Sequence, residues 1–161
     1  MDDRITLREV KDSDLLTLFE QQLDPEANVM AAFTSRNPAD YAAFQDHWRK
    51  IRSNNKVTNR IVLSGEQVAG YVASFTDDEF GKPEVTYWIG KEYWRRGIAT
   101  EALKQFLDHE VKVRPIYARA ASDNLGSIKV LKKCHFKVTG TNEAFAEARG
   151  KKIEEFILKL E

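Results

Sequence analysis

The chain lacks most of the features by which a sequence announces its chemistry. It has one cysteine, Cys134, so an internal disulfide framework is excluded and a reducing compartment fits. Three scattered histidines, His47, His109 and His135, share no metal-ligand spacing with that cysteine, and no metal is expected. No stretch approaches the ~18 apolar residues that cross a bilayer. The opening residues MDDRITLREV lack the basic and apolar segments of a signal peptide. The expectation is a cytoplasmic protein with no membrane partner. Neither sign of charge is in excess, since 25 Lys and Arg balance 25 Asp and Glu. A general nucleic-acid binder carries a basic surplus, so no nucleic-acid partner is expected. The Walker pattern G-x-x-x-x-G-K-[ST] and the dinucleotide pattern G-x-G-x-x-G are both missing. There is no internal repeat, low-complexity tract or interdomain linker.

What is present is an ordinary globular balance, 42% hydrophobic and 31% charged over 161 residues, which suits one domain spanning residues 1–161. Residues 4–10 alternate as a strand. Asp12 or Ser13 caps a helix to about Gln22. The stretch DPEANVMAAFTSRNPAD (24–40) reads as a loop or broken helix lying over something. Asn37 then caps a helix with Pro38 in its first turn, running to about Arg52. RIVLSGEQVAGYVASF is a hairpin signal. After the polar loop TDDEFGKP comes a strand, EVTYWIG, and a long helix from about Gly97 to Val111. IYARAA is another strand, and residues 124–134 form a short helix. FKVTG and KIEEFILKL close the chain as strands around a loop, TNEAFAEARG. The order β-αα-β-β-β-α-β-α-β-β is one mixed α/β layer fold.

The run YWIGKEYWRRGIATEAL hands a strand over to a helix through Arg95-Arg96-Gly97. Free N–H groups and the helix dipole make such a junction an anion site. Gly97 admits close backbone approach, Ala99 and Thr100 keep the first turn small, and Arg95 and Arg96 supply charge for a diphosphate. The bland alternative is a helix start with two solvated arginines. One strand later, Asn124 and Ser127 open a second short helix that ends at His135-Phe136.

With these two motifs in place the chain resembles the GNAT superfamily of acetyl-CoA-dependent N-acetyltransferases, and within it the ribosomal-protein-N-acetyltransferase-like branch. The signature Q/R-x-x-G-x-G/A reads here Trp94-Arg95-Arg96-Gly97-Ile98-Ala99. The resemblance covers essentially the whole element order. It implies a central, mostly antiparallel twisted sheet of about seven strands, splayed between the fourth and fifth, flanked by about four helices. It implies that acetyl-CoA, as co-substrate, rests its pyrophosphate on the backbone of Arg95, Arg96, Gly97, Ile98, Ala99 and Thr100. The pantetheine arm would pair with the fourth strand from Tyr87 to Ile89. Asn124 would bond that arm, against the alternative of a plain helix cap. Glu84 is the first candidate for the base that takes the amine proton, against a solvated strand-end charge.

Three departures from the pattern stand out. Trp94 replaces the first Gln or Arg of the signature. Leu131 stands where many relatives carry a tyrosine that protonates the leaving thiolate, which leaves Ser127 or Cys134 as proton donors, Cys134 reading rather as core. His135 stands at the usual glycine and would adopt a left-handed conformation at a cost on the order of 1 kcal/mol.

For the acceptor, an aromatic set is expected in which Phe33 and Phe145, in polar loops, line the pocket, with Glu143 and Glu147 beside Phe145. The function implied is transfer of acetyl from acetyl-CoA to a primary amine, small molecule or peptide, by direct attack in a ternary complex. Many relatives pair as homodimers. Two rivals stay open at this point, a non-catalytic acetyl-CoA-binding or sensor module and a nucleotide-binding domain using the same turn.

Overall fold

The structure is a computed structural model that describes residues 4–78 and 81–161. Its frame is a seven-stranded sheet in the order β1-β2-β3-β4-β5-β7-β6. The strands are β1 Ile5–Arg8, β2 Thr58–Ser64, β3 Gln67–Thr76, β4 Pro83–Ile89, β5 Ile116–Ala121, β6 Lys137–Ala146 and β7 Lys151–Leu160. All neighbours are antiparallel except β4 and β5, which run parallel and pair at Glu84↔Tyr117, close to both strand starts. Beyond that pair no further register joins them among the described residues, so the two strands splay toward their carboxyl ends. The expected splayed sheet is therefore present.

Five α-helices flank it: α1 Leu15–Gln21, α2 Pro25–Ala31, α3 Tyr41–Ser53, α4 Ile98–Gln105 and α5 Leu125–Lys133. The larger core lies where α4 and α5 cover the sheet. Leu103, Phe106, Ile116, Leu131, Phe136 and Leu158 are fully or almost fully buried there. On the opposite face α1 and α3 pack Leu18 and Trp48 against Ile61 and Tyr71; the Trp48 and Tyr71 rings meet edge to face at 4.9 Å, a favoured aromatic geometry. Gly70 of β3 pairs with Ile89 of β4. A Cβ there would lie 1.9 Å from the Trp88 carbonyl oxygen, so only glycine fits.

Several sequence expectations shift. Residues 25–31 are a helix, because the Asp24 carboxylate accepts from Ala27 N–H at 2.9 Å with Pro25 at the first helical position. The helix placed from Asn37 starts instead at Tyr41. Asp40 caps it by accepting from Ala43 N–H at 3.0 Å, while Asn37 accepts from Ala39 N–H in a preceding turn. The long helix ends in a π-helical turn over Phe106–Glu110. Most of TNEAFAEARG is strand, since β6 pairs with β7 from Lys137↔Lys159 to Ala146↔Lys151. His135 does hold a left-handed φ of 73°. No described helix is long and apolar enough to cross a membrane.

Candidate functional site

A cleft of about 770 Å³ follows the splay. Five consecutive residues of β4, Glu84, Val85, Thr86, Tyr87 and Trp88, line it. Lining by a continuous run of a strand, whose side chains alternate between two faces, means that the backbone edge of β4 borders the cleft. From the α5 side come Asn124, Ser127 and Leu131. From the α1–α3 side come Phe33, Phe44, His47 and Trp48.

Phe33 reaches the cleft through a tight reversal. Ala32, fully buried, has φ 68° and ψ −55°, and Phe33 N–H donates to the Ala31 carbonyl at 2.7 Å. That is a γ-turn, a strained shape for a residue with a Cβ. Phe145 does not reach the cleft. It lies on β6 with half its surface exposed, and its neighbour Ala144 lines the cleft instead. Successive strand residues point to opposite faces, so Ala144 facing in turns Phe145 out. Glu143 and Glu147 are exposed and line no part of the cleft.

The carboxylates lining the cleft are Asp40, Glu84 and Glu155, and the last two gather with Asp77 on one guanidinium. Arg119 of β5 reaches Asp77 at 2.8 Å, Glu84 at 2.9 Å and Glu155 at 3.4 Å. Asn142 donates to Glu155 at 3.0 Å. Burial pushes the Glu84 carboxyl above the ordinary glutamate range; the Arg119 charge opposes that rise and the Asp77 charge adds to it. Sequence reasoning missed this hub. Its one signal was an arginine in the apolar run IYARAA, and its partners come from three other segments.

Across the splay, the Tyr87 hydroxyl lies 2.8 Å from Ser127 Oγ and 3.3 Å from the Ser127 carbonyl. Burial pushes the Tyr87 phenol up to about 12, against the lowering effect of Ser127. Asn124 caps α5, its Oδ1 accepting from Ser127 N–H at 3.2 Å. Burial also pushes the Cys134 thiol up; it is a core residue beside Thr100, 3.7 Å from that carbonyl.

The Arg-Arg-Gly turn lies outside this cleft, at the start of α4. Arg95, Arg96 and Gly97 are exposed and Ile98 is buried. Arg95 and Gly97 both have left-handed φ, 64° and 75°, the kind of backbone from which successive N–H groups form an anion concavity. A Cβ built on Gly97 meets nothing within 4 Å, so the space outside the turn is open to a ligand. Trp94 binds this turn to the strand: its indole N–H donates to the Ile89 carbonyl at 2.8 Å. One backbone group of Ile89, the residue at the end of the strand segment expected to meet a pantetheine arm, is thus engaged within the protein. Arg96 lies over the Tyr93 ring at 5.7 Å. Among the described residues no group of three or more His, Cys, Asp or Glu could hold a metal ion.

Residues 4–137 match the acetyltransferase (GNAT) domain. The chain belongs to the GNAT acetyltransferase family. Among its curated relatives is an uncharacterised N-acetyltransferase, p20, of Bacillus licheniformis, 26% identical over 165 residues that cover 98% of this chain and 93% of that one. Solved GNAT structures share the fold at lower identity. The spermidine N-acetyltransferase of Vibrio cholerae, in complex with CoA and spermine, aligns with a TM-score of 0.82 at 16% identity, over 97% of this chain and 94% of that one. The ribosomal-protein-alanine N-acetyltransferase of Brucella melitensis aligns with a TM-score of 0.78 at 18% identity, over 96% and 98%. GNAT membership makes acetyl transfer the chemistry of the family to which the chain belongs.

Proposed function

We propose that the protein transfers the acetyl group of acetyl-CoA to a primary amine by direct attack in a ternary complex. The observation that carries this is the continuity of the cleft. One cavity takes in the α5 side with Tyr87, Asn124 and Ser127, and the aromatic side with Phe33, Phe44 and Trp48, with Glu84 lining it too. Two substrates held in one cavity need no covalent relay through the enzyme, because holding them in register supplies much of the acceleration.

The residues present fit acetyl-CoA. The backbone of Arg95 through Thr100 would hold the pyrophosphate, with the left-handed Gly97 keeping the approach clear. The open edge of β4 would take the arm, and Asn124 lines the same cleft. Acetyl-CoA supplies an activated thioester; the protein supplies position and proton handling. Glu84 is the base in this reading. A carboxyl raised by burial binds a proton more readily than an ordinary glutamate. Arg119 fixes its direction. The acidic and aromatic lining suits an amine that arrives as a cation. Spermine in the V. cholerae structure is such an amine, and the acceptor here is placed in that broad class of cationic amines.

The test is thiol release from acetyl-CoA in the presence of a panel of amines, beside calorimetric titration with acetyl-CoA, ATP and NAD. Selective binding of acetyl-CoA and amine-dependent thiol release are expected. Glu84→Gln should lower kcat at least tenfold, leave acetyl-CoA affinity unchanged, and remove the acidic limb of the pH–rate profile. That limb should lie above the ordinary glutamate value of about 4.3. Binding without thiol release from any amine would make the protein a non-catalytic acetyl-CoA-binding module. A preference for ATP or NAD would overturn the reading altogether.

A further inference from the structure

Tyr87 and Ser127 come from elements 40 residues apart and meet across the splay. The contact is made by side chains on the two walls of the cleft, where β4 and β5 have already separated. A phenol has one proton to give. Its oxygen lies 3.3 Å from the Ser127 carbonyl, which can only accept, and 2.8 Å from Ser127 Oγ, a contact in which either hydroxyl can be the donor; the shorter contact is the better hydrogen bond. Donation from Tyr87 to Oγ leaves the serine's own O–H to bond elsewhere. The phenol, pushed up to about 12 by burial, keeps its proton throughout the neutral range and so remains a donor. Leu131, also on the cleft wall, has no polar atom to offer. The backbone N–H of Ser127 is already bonded to Asn124, which holds the serine at a fixed point on α5.

Resting on the acetyltransferase reading above, we infer that Tyr87 is a positioning residue: its hydroxyl donates to Ser127 Oγ and aims the Ser127 O–H into the cleft, toward the sulfur that leaves the thioester. As the amine nitrogen bonds to the carbonyl carbon and the carbon–sulfur bond breaks, the bonding pair stays on sulfur. The Ser127 O–H hydrogen-bonds that charge without giving up its proton, because an alcohol holds its proton far more tightly than a thiol of pKa ~8.5. The amine gives up its extra proton to solvent before it attacks, the proton it loses on bonding goes to Glu84, the thiolate takes a proton from water, and Glu84 returns its proton to the hydroxide that this leaves. Neither hydroxyl changes protonation state over the cycle.

A donor aimed at sulfur also acts on free CoA, so the test needs no acceptor amine. The thiol of CoA bound to the protein is titrated by its ultraviolet absorbance, and CoA affinity is measured by calorimetry at about pH 6, where the thiol is protonated. Bound to the unaltered protein, the thiol should titrate about one unit below its free value of ~8.5. Tyr87→Phe and Ser127→Ala should each return it to that value, and the double variant should go no further, since both remove one interaction. Affinity at the acidic pH should stay within about twofold in all three. Tyr87→Phe titrating like the unaltered protein would overturn the inference, as would shifts that add in the double variant. A loss of affinity at acidic pH equal to the loss at alkaline pH would make the contact merely structural and overturn it too. CoA that binds with an unshifted thiol overturns this inference alone, whereas failure to bind CoA overturns the acetyltransferase reading with it.

Discussion

At Gly97 two demands fall on one residue. Its φ of 75° is a left-handed conformation, which costs a residue with a Cβ roughly 1–2 kcal/mol, and the space outside it is open. These demands separate in a mutant. In Gly97→Val the new Cβ meets no protein atom, so the fold should persist with a Tm lowered by about 2–8 °C. Acetyl-CoA affinity should fall at least tenfold, because the β-branched side chain fills the space over the first N–H groups of α4. Calorimetry beside circular dichroism checks this, and unchanged affinity would sink the cradle assignment. Arg95 and His135 are left-handed as well and tolerate it without being glycine. His135 follows α5, where its N–H donates to the Lys132 carbonyl at 3.0 Å, as helix ends require.

Elements in this fold are held by a few part-buried ion pairs at their junctions. Arg8 of β1 reaches Asp14, just ahead of α1, with both nitrogens at 2.7 and 2.8 Å, and Lys11 N–H donates to the same carboxylate at 2.7 Å. Burial pushes the Asp14 carboxyl up, but the Arg8 and Lys11 hydrogen bonds and charges overcome it and hold it below the ordinary range. A carboxylate with a depressed folded pKa contributes stability that is present above its unfolded value of about 3.9 and lost as pH falls through the folded value. Asp14→Asn should therefore cost roughly 1.5–3 kcal/mol near neutrality, a Tm drop on the order of 5 °C. That gap should narrow below about pH 4. Thermal melts of both proteins across that range decide it; a gap constant with pH would remove the ion pair as its cause. Junctions are also where sequence and structure part. Asp24-Pro25 carries a full cap-and-proline start, yet α2 is seven residues long, too short to show a helical period. Asn37-Pro38 and Asp40 both offer helix starts, and only the backbone chooses Asp40. The β6 segment looked like a loop because Asn, Glu and Ala disfavour strands, while as an edge strand it needs only one apolar face. The strand–turn–helix with its arginines was legible because its chemistry is local. The Arg119 hub and the Tyr87–Ser127 contact were not, because each joins residues that lie 35 or more positions apart.

Over the whole molecule, the sheet is weakest at its centre. Strands β1–β4 form one antiparallel half and β5–β7 another, and their direct ladder is the one pair Glu84↔Tyr117. What else closes the seam is the core under α4 and α5, the Arg119 ion pairs from β5 to Asp77 and Glu84, and the Tyr87–Ser127 bond. A ligand laid along the free edge of β4 and over the starts of α4 and α5 would bridge both halves, and it would bind the folded protein only. By mass action, such a ligand at a hundred times its Kd stabilises by about 2.7 kcal/mol, which for a chain of this size raises Tm by about 5–10 °C. Acetyl-CoA should produce that rise and slow amide exchange along Val85–Ile89, where the edge is open, while leaving the β6–β7 hairpin unchanged. ATP and NAD at equal concentration should do neither. If either nucleotide matches acetyl-CoA, the Arg-Arg-Gly turn serves a nucleotide rather than CoA. If acetyl-CoA raises Tm but exchange slows only at the start of α4, the pyrophosphate is held and the β4 edge is not used.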